Sequence, residues 1–274
     1  MKLPPDEREA FRLARIKEVT SLIDTGAVEI LDVHQSREFR RRHPERVIES
    51  IFVDRYKPTE AGPVCKSRWC AVGWRDPDML DIERSAPTPT TLAMYAAMQV
   101  AASRGWDGRT KDAKTAFLQS KKSNRSVPLA CSLPRDGLEG GFSGLDREQI
   151  LLLKTEVYGL VSGPAWWRTS LLDILVRQLG YRLNPLDRCV LTLPSDDPNG
   201  PTWGIIVVEV DDLLEFGDEE HIQRMQTLET LVKCRKSESL SDAADGILLA
   251  GRRIRQLPDR GFEIHMDDCA TPFV

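Results

Sequence analysis

An α+β fold is what this sequence predicts, and three observations carry that expectation. Segments of helical and of strand period interleave without the regular parallel alternation of an α/β chain. A strongly apolar run, Ile205-Ile206-Val207-Val208-Glu209-Val210, meets Asp211-Asp212 and resumes as Leu213-Leu214-Glu215-Phe216-Gly217, as two strands turning over at the acids would. Helix boundaries are also written into the chain: Pro164 opens one segment, Asp218 caps another, and Gly26, Gly105 and Gly180 close three.

In chain order, residues 6–25 predict a helix, with acids at its start and Phe11, Ile16, Val19, Leu22 and Ile23 as its apolar positions. Residues 27–33 and 48–56 are short strands, and 90–104, rich in alanine and methionine, a second helix. Polar and basic residues after Leu118 form a loop through Arg125, and the glycine-rich stretch 134–145 is irregular surface. A strand returns at 151–153, followed by a helix over 164–179 with a dense apolar stripe. Asp218, with Glu219 and Glu220 behind it, caps a helix whose apolar positions are Ile222, Met225, Leu228, Leu231 and Val232. Residues 246–255 and 261–266 flank the Pro258-Asp259-Arg260-Gly261 turn as a hairpin.

Composition bounds the function. The chain has 274 residues, enough for one large domain or two modest ones, with 41% hydrophobic and 29% charged side chains, the balance of an ordinary globular protein. No apolar run reaches the roughly 18–20 residues that span a bilayer, and the N-terminus lacks an apolar signal segment. The expected location is cytoplasmic or nuclear, and not secreted. Cys65, Cys70, Cys131, Cys189, Cys234 and Cys269 are scattered without metal-binding spacing, which excludes a zinc module and a disulfide frame. The net charge of −4 weighs against a uniformly basic nucleic-acid binder. Yet Arg37, Arg40, Arg41, Arg42 and Arg46, and also Lys121, Lys122 and Arg125, form local basic patches. These either hold phosphates or are solvated faces.

The chemistry centres on acids. Two adjacent carboxylates raise each other's pKa, and partial burial adds to that cost. A bound divalent cation reverses the penalty; a solvated turn is the plainer reading of Asp211-Asp212. Asp112 stands upstream in Thr110-Lys111-Asp112-Ala113-Lys114-Thr115-Ala116-Phe117-Leu118. One aspartate on a strand and two on a neighbouring hairpin is a recurring layout for two-metal phosphoryl transfer.

Five blocks, in order, resemble the reverse transcriptase domain of copia-type LTR retrotransposons. They are Lys66-Ser67-Arg68-Trp69-Cys70-Ala71-Val72-Gly73-Trp74 with Ala86-Pro87-Thr88, Asp112 to Leu118, Tyr158-Gly159-Leu160-Val161-Ser162-Gly163-Pro164-Ala165-Trp166-Trp167, Val210-Asp211-Asp212, and Ala250-Gly251-Arg252-Arg253-Ile254. The resemblance covers about residues 10–268. It implies a right-hand polymerase fold over 1–274, with fingers at about 1–90 and 121–162, palm at about 91–120 and 163–268, an antiparallel palm sheet, and the thumb truncated or absent. The implied reaction is RNA-directed DNA synthesis from dNTPs on a primed RNA or DNA template. Asp112, Asp211 and Asp212 would be catalytic and would hold two Mg²⁺ ions, or Mn²⁺, with Asp212 the weaker contributor. Lys66 and Arg68 would meet the triphosphate. Phe117 would wall off the sugar 2′-position, or else be a core ring. Gly159, Gly163 and Pro164 would form a turn close to template and nascent base pair, and one of Trp166 and Trp167 would be core.

Three departures stand against that pattern, one being that the chain stops at Val274, where a thumb would be expected to begin. Glu209 occupies the place of a tyrosine or histidine, on the face that strand period would share with Asp211. Ala165 replaces an arginine. The alternative to a working enzyme is therefore an inactive retrotransposon remnant that keeps the fold and nonspecific nucleic-acid binding. A third reading, an unrelated metal-dependent nuclease or phosphotransferase, gives no reason for Lys66, Phe117 and the Gly-Pro turn to occur together.

Overall fold

The computed structural model describes residues 3–59, 62–135, 140–197 and 200–266; Cys269 lies outside them. Among the described residues the protein is α+β, with five α-helices and mostly antiparallel sheets. The elements run α1 (Pro5–Asp24), β1 (Val28–Ile30), α2 (Val33–Arg42), β2 (Val47–Ile48), β3 (Ser50–Lys57), β4 (Val64–Ala71) and α3 (Thr91–Arg104). They continue with β5 (Gly108–Asp112), β6 (Ala130–Ser132), β7 (Ile150–Leu153), α4 (Gly163–Leu172), β8 (Arg182–Leu183), β9 (Val190–Leu193), β10 (Gly204–Glu209) and β11 (Asp212–Gly217). The last are α5 (Glu219–Leu231), β12 (Glu238–Ser239), β13 (Ile247–Leu249), β14 (Arg252–Gln256) and β15 (Phe262–His265). No helix among the described residues is long and apolar enough to cross a membrane.

The chain forms two compact units, each assembled from two stretches: Met1–Ser85 with Phe117–Trp167, and Ala86–Ala116 with Arg168–Val274. In the first, a sheet of order β1-β7-β6-β2 and the β3–β4 ribbon share a core with α1 that includes Val19, Leu22, Trp69, Leu118, Phe142 and Leu151. Helix α1 begins at Pro5 with Asp6 and Glu7 in its first turn, where the exposed N–H groups favour proline and negative charge. The expected strand over 27–33 is shorter, because Asp32 starts a helix. Its carboxylate accepts from the Gln35 N–H (2.7 Å), and the Gln35 side chain accepts from the Asp32 N–H (3.0 Å). That capping box nucleates α2, and Arg40, Arg41 and Arg42 complement the helix dipole at its far end. A charged helix without an apolar stripe leaves no periodic signal in sequence.

A buried ion cluster completes this unit. The Arg125 guanidinium donates to Asp76, Asp78 and Glu156, and Glu156 also accepts from Ser123 and Ser162. These bonds clamp both ends of the 157–161 segment that precedes α4.

The second unit is built on an antiparallel sheet of order β12-β5-β11-β10-β9-β8. Strand β10 is buried along nearly all its length, so it reads as a continuous apolar run. On one face Ile205, Val207, Leu214 and Phe216 pack with Met94, Ala97, Met98 and Ala101 of α3. The alternate residues Lys111 and Glu215 meet α5 on the other face. Gly105 ends α3 with φ +67, and Asp218 caps α5 through the Glu220 and His221 N–H groups, both as the sequence predicts, while Thr90, expected as the first helical residue, is the cap of α3. The segment expected as one strand over 246–255 is itself a hairpin, β13–β14. Its two loop residues, Ala250 and Gly251, both have positive φ (50 and 73), the pattern of a tight right-twisted turn. Strand β15 extends it to three strands.

Candidate active site

The acids come together through strand register. In the β10–β11 hairpin Glu209 lies opposite Asp212, and across β11–β5 Asp212 lies opposite Asp112. Directly opposed residues share a face, with Cβ atoms about 4.5–5.5 Å apart. Glu209, Asp212 and Asp112 therefore form a row across three adjacent strands. Asp211 sits in the two-residue hairpin loop, and its carbonyl accepts the Ala113 N–H at 2.9 Å, tying the loop to the residue after Asp112. The other loop residue, Val210, has φ +54, a conformation costly for a β-branched side chain. That residue breaks the period-2 alternation. Glu209 consequently stands opposite Asp212 in the row, and strand period does not pair it with Asp211.

The electrostatics follow from this packing. Burial, then the charges of Asp211, Asp112 and Glu209, push the Asp212 carboxyl up to about 6, with Arg235 pulling the other way. Glu209 is also raised, by burial, against the opposing charge of Arg252, and its Oε2 has no hydrogen-bond partner. Arg235 is the nearby cation: Nη1 lies 3.3 Å from Asp112 Oδ2, and its backbone N–H donates to the Asp112 carbonyl at 2.8 Å. A cleft of about 350 Å³ opens beside Asp112 and Asp212, walled by Arg235, Lys236 and the β13 residues Ile247, Leu248 and Leu249.

Among the described residues, no three His, Cys, Asp or Glu side chains are placed as a ready-made metal cage. The donor set nonetheless suits magnesium, which takes hard oxygens and is held by one or two carboxylates plus water and substrate phosphates. A row of mutually repelling carboxylates, with the Asp212 carboxyl pushed up to about 6, is a donor set that a divalent cation relieves.

Lys66, Arg68, Phe117, Gly159, Gly163 and Pro164 all belong to the first unit. Lys66 and Arg68, two residues apart, share one face of β4 and lie opposite Arg55 and Val53 across the ribbon. The Arg68 guanidinium stacks 4.8 Å over the Tyr158 ring, and the Tyr158 and Phe117 ring centroids are 5.0 Å apart. A Cβ on Gly163 would lie 3.4 Å from the Phe117 ring. Arg68, Tyr158, Phe117 and Gly163 thus form one contiguous stack, with Phe117 only half-buried. Tyr158, the ring that links the others, heads the 158–167 block but has no role of its own in the sequence pattern, because its contacts to Arg68 and Phe117 join residues far apart in the chain.

Gly159 has an internal reason for lacking a side chain. With φ +93, its Cβ would fall 2.0 Å from the Ala71 carbonyl oxygen, and a Cβ on Gly73 would fall 2.0 Å from the Gly159 oxygen. Pro164 stands in the first turn of α4, where its missing N–H is harmless. Trp167 is core, whereas Trp166 is half-buried, donates Nε1–H to the Lys121 carbonyl and lies under the Lys121 ammonium. Ala165 is buried. Compared with protein-family models and with curated proteins, the chain matches none.

Proposed function

We propose that this chain is an RNA-directed DNA polymerase domain of the copia-type retrotransposon kind, with a right-hand fold whose palm is the six-stranded sheet. The register that sets Asp112 opposite Asp212, beside Asp211 in the adjoining loop, is the observation that carries the reading. The reaction joins a primer 3′-hydroxyl oxygen, whose proton is lost to solvent, to the α-phosphorus of a dNTP and breaks the bond from that phosphorus to the oxygen bridging to the β-phosphate, releasing pyrophosphate. Magnesium, when bound, supplies Lewis-acid activation of the hydroxyl and neutralises charge on the leaving group. Asp112 and Asp211 offer the principal oxygens, and Asp212 adds charge beside them. Lys66 and Arg68 bind the triphosphate, the latter with its guanidinium held in place over Tyr158. Phe117, backed by Tyr158, limits space at the sugar 2′-position.

A second reading has its own observation. Glu209 adds another carboxylate to the row, and Arg235 already pairs with Asp112. An inactive remnant that keeps the fold and binds nucleic acid nonspecifically would tolerate both. Primer extension on an RNA template, with Mg²⁺ or Mn²⁺ and an Asp211→Asn/Asp212→Asn control, separates the two. Extension abolished in the control supports the polymerase; folded wild-type protein that extends nothing with either ion supports the remnant.

A further inference from the structure

Strand β5 carries Asp112, yet its sequence, Gly108-Arg109-Thr110-Lys111-Asp112, has no apolar side chain. Register is ordinarily set by the apolar pattern, and a slip of one residue turns every side chain to the opposite face. In β5 a slip would carry Asp112 to the rear of the sheet and away from Asp212. Something other than hydrophobic patterning must hold this strand in place.

The rear face supplies it. The Lys111 side chain is 3% exposed, and its Nζ lies 2.5 Å from Glu229 Oε1 of α5 and 3.7 Å from Glu215 Oε1 of β11. Glu215 is buried, its Oε2 makes no hydrogen bond, and burial pushes its carboxyl up to about 7 against the pull of Lys111 and Arg109. Helix α5 is a fixed reference for this tie. Gly204 and Gly217 are cross-strand partners, and a Cβ on either would fall 2.2 or 2.3 Å from the His221 ring, so the glycine pair forms a slot for that imidazole. The Tyr181 hydroxyl lies 2.9 Å from His221 Nδ1 and closes the slot. At the start of β5 the Gly108 N–H donates to the Gln256 side chain at 2.8 Å; at the other end backbone bonds join Ala113 to Asp211 and Arg235 to Asp112, and the Lys111 side chain ties that end to α5 on the rear face.

We infer that Lys111 is a positioning residue, a buried charged pin that fixes β5 against β11 and α5 and so keeps Asp112 opposite Asp212. Its consequence for metal binding rests on the polymerase reading; its consequence for register does not. A buried ion group that selects one register at a cost in stability has precedent in coiled coils.

The test compares wild type with Lys111→Gln/Glu215→Gln/Glu229→Gln, which removes the charges without supplying an apolar side chain that could itself set the register, and with Lys111→Arg. Two readouts are taken on folded protein: backbone NMR contacts between positions 112 and 212, and Mn²⁺ affinity by calorimetry. In the triple variant the 112–212 contacts are expected to weaken or double, and Mn²⁺ affinity to fall at least tenfold; Lys111→Arg retains both. A folded triple variant with the single wild-type contact pattern overturns the inference. Should that variant not fold, Glu229→Gln, which alters only the more exposed partner, is read in the same way. If wild type takes up no Mn²⁺, the polymerase reading fails, and the contact pattern alone decides the pin.

Discussion

Each unit gathers acids into a cluster, and the two clusters differ in what completes them. In the first, Asp76, Asp78 and Glu156 surround Arg125, and Ser123, Ser162 and Arg46 take up further valences. Burial opposes charge there, but hydrogen bonds and the guanidinium win, so Asp78 and Glu156 sit below the usual carboxylate range. In the second unit, Asp112, Asp211, Asp212 and Glu209 have Arg235 on one flank, half-exposed, and Arg252 near Glu209. Burial and mutual repulsion win, and Asp212 rises to about 6. The same side chains thus make a closed structural cluster in one place and an electrostatically incomplete one in the other. Of the two clusters, the second is the one where the proposed cation would bind.

The largest effect should come from breaking the closed cluster. Arg125→Met leaves buried carboxylates without their cation and is expected to cost about 3–5 kcal/mol, read from urea unfolding. Arg235→Ala, removing a half-exposed partner, should cost less than about 1 kcal/mol. A comparable cost for the two would erase the contrast.

Gly159→Ala is next: the substitution is strained at φ +93 and drives a Cβ onto the Ala71 carbonyl, so a loss of more than about 1 kcal/mol is expected. An unchanged urea midpoint would mean that the segment before α4 is not held as described.

A smaller effect of opposite sign is expected at the carboxylate row. Val210→Gly relieves the positive φ and should stabilise the metal-free protein by about 1 kcal/mol in the same assay. Destabilisation would show that the valine side chain contributes more by packing than the strain removes.

The pH dependences have opposite slopes. Asp212 binds its proton more tightly folded than unfolded, so its contribution to metal-free stability declines as pH rises from about 4 to about 6. Asp78 and Glu156, depressed in the fold, contribute stability above their ordinary values of 3.8 and 4.5 and lose it as pH falls through their folded values. Urea unfolding across this range should show the first slope disappear in Asp212→Asn, and a slope that survives would assign it elsewhere.

Much of the second unit is legible in sequence, because its strands are apolar runs and its helices carry caps at Gly105 and Asp218. The β10–β11 hairpin follows from an apolar run meeting Asp211-Asp212. Other elements leave no such trace. Helix α2 is organised by a capping box and charges, and β5 has no apolar residue at all. The opposition of Glu209 to Asp212 depends on the conformation of Val210, which residue identity argues against. The Arg125 cluster and the Arg68–Tyr158–Phe117 stack join residues far apart in the chain, which no local pattern records.

The most direct measurement is calorimetric titration of metal-free protein with Mn²⁺, competed by Mg²⁺, in wild type, Asp112→Asn, Asp212→Asn and Asp76→Asn. Binding is expected in wild type, lost or strongly weakened in the two row variants, and kept by whatever fraction of Asp76→Asn remains folded. Folded wild-type protein that takes up no ion, or binding indifferent to Asp112 and Asp212, would contradict that expectation.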